Sequence, residues 1–146
     1  MYFLELIVQM RSLLTQTFEA SNCLRFRFEA DNSYAEFNTV DEAFTAVTKA
    51  NRALHDARLM LIGDEPFTIC TGIGFGHCLD AGHEGLYGDQ MNLASKLGED
   101  TADGREILIT EEAYANLSED LRATFTKKEA HVSGLDFNYY QHDCTY

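Results

Sequence analysis

The residues best placed to do chemistry are Asn92 and Lys96, in the run Gly88-Asp89-Gln90-Met91-Asn92-Leu93-Ala94-Ser95-Lys96-Leu97. Four apart on a helix, they project from one face about a turn apart. An amide and a cation at that spacing suit a ribose oxygen and a phosphate. The plainer reading is a solvated helix face, and residue types alone favour it. Gly72-Ile73-Gly74-Phe75-Gly76 poses a similar choice. Its spacing is neither that of a dinucleotide fingerprint nor that of a P-loop, and no Lys-Ser/Thr follows. Glycines that admit a bend or a close backbone approach are the favoured reading. His77, Cys78, Asp80, His83 and Glu84 bring zinc-ligand types into one segment. Their spacing fits no zinc motif, so a surface loop with incidental ligand types is favoured. His131 and His142 fall on predicted strands and read as structural.

These residues need elements to hold them. Phe3, Leu6, Ile7, Met10, Leu13, Leu14 and Phe18 recur at helical spacing and predict an amphipathic helix over 2–18. Period two follows, with Leu24, Phe26 and Phe28 on one side and Arg25, Arg27 and Glu29 on the other. Ala30-Asp31-Asn32-Ser33 is a turn signal, and Tyr34 to Phe37 predicts the returning strand of a hairpin. Asp41 is the expected cap of a helix burying Phe44, Val47, Ala50 and Leu54. Gly63-Asp64-Glu65-Pro66 breaks the chain, and Phe67 to Gly76 reads as a buried strand. A loop over 80–85 and a helix from Asp89 to about Ala102 follow. A strand over 106–109, a short helix capped at Thr110, and strands over 125–132 and 135–142 complete the reading.

Composition bounds what this architecture does. With 146 residues the chain is long enough for one domain with a real core. The net charge of −13, from 24 acidic and 11 basic side chains, repels nucleic acid and anionic membranes. The apolar start carries Glu5 and has no basic flank, so it predicts neither a signal peptide nor a membrane span. Cys23, Cys70, Cys78 and Cys144 form no Cys-x-x-Cys pair and read as reduced thiols of a cytoplasmic protein.

Taken together, the segments resemble the catalytic domain of class III adenylate/guanylate cyclases. Gly88 to Leu97 is similar to the family's Gly-Asp-x-Val-Asn-x-Ala-Ser-Arg-Leu helix. Thr71 to Gly76 resembles its glycine-rich strand. Arg105 to Tyr114 resembles its Gly-Glu-Ile-Leu-Val-Ser-x-x-x-Tyr strand and helix. Phe26 to Phe37 resembles its Ile-Lys-Thr-Ile-Gly-Asp hairpin. The four motifs stand in the family's order over roughly residues 3 to 117.

The resemblance implies an α+β, ferredoxin-like sandwich with a mostly antiparallel sheet. It implies a homodimer, and conversion of a nucleoside triphosphate to a cyclic nucleotide and pyrophosphate with Mg2+ or Mn2+. It places Asp31 as a metal ligand, Asn92 as ribose orienter and Lys96 where an arginine meets the developing phosphate charge. Arg27 stands at the base-reading lysine and Gly85 near the second base-reading position. Lysine at 96 keeps the charge but loses the two-pronged grip of arginine. No Asp precedes Asp31, so the expectation is one domain over 1–146 without the family's first strand and its metal aspartate. Weak or absent turnover is expected. The alternative is a degenerate cyclase homology domain that binds a nucleotide or a partner.

Overall fold

The computed structural model describes residues 2–60, 66–77, 79–80, 86–87, 89–102, 104–132 and 134–143. They gather into two compact units, one of Met1–Asn38 with Glu42–Ile69, the other of Thr39–Asp41 with Cys70–Tyr146.

The first unit is built on two amphipathic helices and a hairpin. Helix α1 runs Tyr2–Glu19, and its Leu6, Ile7, Met10, Leu14 and Phe18 are buried as their spacing predicts. Helix α2, Val40–Asp56, returns Ala46, Ala50 and Leu54 to the same core. Burying each large apolar side chain stabilises the fold by about 1.5–3 kcal/mol. Strands β1 (Arg25–Glu29) and β2 (Asn32–Glu36) pair antiparallel, and Phe26 lies 5.4 Å from the Phe18 ring, centroid to centroid. Two expectations are corrected. Leu24 is 52% exposed rather than aligned with Phe26 and Phe28, because the chain bends out of strand geometry at that residue. Asp41 does not cap its helix. The helix already includes Val40, and the Asp41 carboxylate accepts the Ser118 N–H at 3.0 Å.

The hairpin turn is tighter than the sequence indicated. Glu29 pairs with Asn32, leaving only Ala30 and Asp31 between the strands. Ala30 takes φ 53, a left-handed conformation. That costs an alanine roughly 1 kcal/mol that glycine does not pay. The Arg11 guanidinium donates to the Ala30 carbonyl at 2.5 Å and lies over the Phe28 ring, which fastens the turn to α1. Ala30→Gly is therefore expected to raise stability by up to about 1 kcal/mol despite the looser unfolded chain, read by urea denaturation. A clear loss would mean that the turn is not strained.

The second unit holds a four-stranded sheet of order β3-β6-β8-β7, with β3 (Thr71–Ile73), β6 (Ile107–Thr110), β7 (Phe125–Val132) and β8 (Leu135–His142). Only the β3 and β6 pairing is parallel. A separate pair, β4 (Leu79–Asp80) and β5 (Leu86–Tyr87), is also antiparallel. The architecture is thus α+β with mostly antiparallel pairing, as expected. All four residues of β6 are buried, since it is an inner strand with helices against it, which explains its unbroken apolar run. Helix α3 (Asp89–Lys96) passes into a π-helical turn, Leu97–Thr101, closed by Ala102 N–H on the Leu97 carbonyl at 2.7 Å. Helix α4 (Glu111–Ala115) is capped by Thr110 as predicted, its hydroxyl accepting the Ala113 N–H. The four-residue helix α5 (Glu119–Arg122) was not foreseen, having no apolar periodicity. The predicted strand from Phe67 to Gly76 is real only over Thr71–Ile73.

Candidate functional site

Helix α3 is positioned by Gly72 of the preceding strand and by Gly74 and Gly76 just beyond it. A Cβ on Gly72 would lie 2.0 Å from the Ala94 carbonyl oxygen and 2.9 Å from the Gly98 nitrogen. On Gly74 it would lie 2.6 Å from the Gln90 carbonyl oxygen, and on Gly76 2.8 Å from the Gln90 Cγ. Two strand residues advance roughly 6.6 Å and four helix residues about 6 Å. Successive glycines therefore meet Gly98 and Ala94, then Gln90, as strand and helix run past each other in opposite directions. The three glycines are a packing surface, as the plainer sequence reading held.

That packing decides which way α3 presents its polar residues. At about 100° per residue, Asn92 and Lys96 lie roughly opposite Gln90 and Ala94 around the helix. Ala94 is buried against the strand, Asn92 is exposed and Lys96 is half-buried. Lys96 makes no ion pair among the described residues. One turn apart and outward-facing, the pair meets the geometric requirement set by its spacing.

The other predicted residues lie in the first unit. Asp31 occupies the hairpin turn, exposed and without an ion-pair partner among the described residues. Arg27 is on β1, and its guanidinium is paired with the Glu29 carboxylate. Arg25 is likewise paired with Glu36. Gly85 lies outside the described residues, as do most of the potential zinc ligands, Cys78, His83 and Glu84.

A pair of Mg2+ or Mn2+ ions needs several carboxylates converging on one place. The described residues do not supply them. Glu29 is engaged by Arg27, Asp31 stands by itself in the turn, and no three of His, Cys, Asp and Glu come together among the described residues. Asp31 offers one carboxylate, short of a two-ion centre.

Cys23 has its thiol pushed up by burial while it donates to the Arg25 and Glu36 carbonyls, which disfavours the thiolate. His142 is pushed down by burial, and His131 is pushed up by its hydrogen bond to Asp136 on the neighbouring strand. Among the described residues, Cys23 and Cys70 form no disulfide. No described helix is long and apolar enough to cross a membrane.

One contributor escaped sequence reading. Gln90 accepts the Phe75 N–H at 3.1 Å and the Thr110 hydroxyl at 2.7 Å on a single side-chain oxygen. A glutamine in a helix carries no local signal of such contacts. Only the glycines opposite it hinted that something close-packed lay there.

The fold is that of class III nucleotide cyclase catalytic domains. Among solved structures, adenylate cyclases from Trypanosoma brucei in their monomeric state match at TM-score 0.71 and 15% identity, covering 96% of this chain and 78% of theirs. The guanylate cyclase domain of RhGC from Catenaria anguillulae in complex with GTP matches at TM-score 0.59 and 13% identity, covering 92% and 79%. The adenylyl cyclase CyaB from P. aeruginosa matches at TM-score 0.60 and 15% identity, covering 97% and 82%. No family profile matches the sequence, and no curated protein matches it by sequence.

Proposed function

We propose that this chain is a class III cyclase-like domain that binds a nucleoside triphosphate, with Asn92 on the ribose and Lys96 on the phosphates. The reaction of the family it resembles makes a cyclic nucleotide and pyrophosphate for signalling. The observation that carries the reading is the outward face of α3, where an amide and a cation unpaired among the described residues stand one turn apart on a helix packed from behind. A structural neighbour with the same fold is a guanylate cyclase domain in complex with GTP.

A specific observation favours a binding role over turnover in this chain. Arg27, at the base-reading position, is paired with Glu29, so a base contact and a second acid are turned toward each other. Asp31 then offers a single carboxylate to Mg2+ or Mn2+. We accordingly propose a nucleotide-binding regulatory module, weak or inactive as a cyclase. We also propose that it assembles as a homodimer, for which exposed Leu4 and Val8, one turn apart on α1, provide apolar surface.

The test measures binding of ATP and GTP with Mn2+ by calorimetry, and cyclic nucleotide formed from ATP, GTP, CTP and UTP, on material sized by light scattering. Binding without turnover, by a dimer, is expected. Robust turnover that vanishes in Asp31→Ala would make the chain an enzyme. No binding by the intact chain would leave a purely structural domain, and a strict monomer at about 50 μM would remove the dimer, since stable homodimers persist well below that concentration.

A further inference from the structure

We propose that Gln90 is the positioning residue for Asn92 and Lys96, an inference that rests on the nucleotide reading above. Its side-chain oxygen joins three segments. It accepts the Phe75 N–H at the end of the glycine strand and the Thr110 hydroxyl at the junction of β6 and α4. Thr110 itself is 2% exposed, and its oxygen caps α4 by accepting the Ala113 N–H at 3.1 Å. The first turn of α3, which would otherwise fray because its N–H groups have no helical partners, is thereby fixed to the sheet and to the next helix.

Gln90 has little freedom to do otherwise. The position of a Cβ on Gly76 lies 2.8 Å from its Cγ, so the backbone just beyond β3 confines the side-chain stem. The anchor sits on the back of α3 and the two polar residues on the front. A slide or rotation of the helix moves all of them together. A shift of about 1 Å in a positioned group costs on the order of a hundredfold in function where the geometry matters. The resemblance to the cyclase helix leaves this position unspecified, so the role comes from the contacts alone.

The experiment uses Gln90→Met, which keeps length and removes the acceptor, and Gln90→Glu, which keeps an oxygen able to accept both bonds. Gln90→Asn, one methylene too short to reach both donors, is the milder variant should the methionine protein fail to fold. Two quantities are read: hydrogen exchange of the Phe75 amide, and Kd for ATP and GTP with Mn2+. Gln90→Met, or Gln90→Asn in its place, is expected to speed the exchange and raise Kd about tenfold, with Gln90→Glu restoring both. In an Asn92→Ala, Lys96→Ala background the same substitution is expected to change Kd by less than about twofold, because it acts through those two residues. A purely structural role would lower thermal stability and leave Kd unmoved, which would overturn the proposal while leaving nucleotide binding intact. Unchanged Phe75 exchange would overturn it as well. A parent chain that binds neither nucleotide would remove the nucleotide reading and this inference together.

Discussion

Gly72→Ala is expected to lower stability by about 3 kcal/mol or more and the melting temperature by on the order of 10 °C, a larger effect than most single substitutions produce. The new Cβ would sit 2.0 Å from the Ala94 carbonyl oxygen. That atom belongs to helix backbone and cannot rotate away, so strand and helix must separate, and the contacts on both sides of the seam are lost with them. The series is graded by what each new methyl meets. Gly74→Ala meets the Gln90 carbonyl at 2.6 Å and is expected to cost somewhat less. Gly76→Ala meets the Gln90 Cγ at 2.8 Å, a side-chain atom rather than helix backbone, and is expected to cost least. Gly134, with nothing within 4 Å but φ +76, is the control for conformational strain without a clash. Denaturant melts of the four variants check the ranking. A Gly72→Ala protein within about 0.5 kcal/mol of the parent would show that the strand and helix are not in contact there.

Why those glycines were ambiguous in sequence is instructive. A Gly-x-Gly-x-Gly run is compatible with a phosphate-cradling loop and with close backbone packing, because both need the same missing Cβ. Only the partner atom decides between them, and it lies about twenty residues downstream. Periodic features were legible for the opposite reason. The stripe on α1 and the alternation of Phe26 and Phe28 depend on local spacing, which survives without knowledge of the partner. The last two strands were legible too, most clearly β8, where Leu135, Phe137 and Tyr139 alternate with Asp136 and Asn138. Leu24 failed because one residue of alternation beyond a strand end is not a strand. Asp41 failed because a carboxylate near a helix start serves whichever N–H reaches it, here Ser118 from a distant segment. At the candidate site, spacing and family pattern singled out Asn92 and Lys96 as the proposed pair. Gln90 was invisible because its role lies in long-range hydrogen bonds. The pairing of Arg27 with Glu29 needed only strand geometry, two residues apart on one face, and was within reach of the sequence.

The second large effect concerns Lys96. Lys96→Ala is expected to weaken binding of ATP and GTP with Mn2+ by about tenfold or more, since a hydrogen bond to a charged group contributes roughly 1.5–3 kcal/mol. Lys96→Arg is expected to bind as tightly as the parent or more tightly. The guanidinium restores a planar, two-pronged donor matched to phosphate oxygens, where lysine offers a hydrated point charge. The background magnifies the contrast. A chain of net charge −13 repels a triphosphate over its whole surface, so the local cations carry the attraction. Raising the salt concentration screens the general repulsion and the specific contact together. The Lys96→Ala loss is therefore expected to persist at low salt and to shrink at high salt. Half-buried and unpaired among the described residues, Lys96 has no structural partner whose loss would mimic the effect by unfolding the helix. Thermal melts of Lys96→Ala are accordingly expected to stay within about 2 °C of the parent, as for a surface substitution. Calorimetry at two salt concentrations, alongside those melts, measures each of these quantities. An alanine variant that binds as the parent does would place the phosphates elsewhere on the molecule and leave the outward face of α3 as ordinary solvated helix.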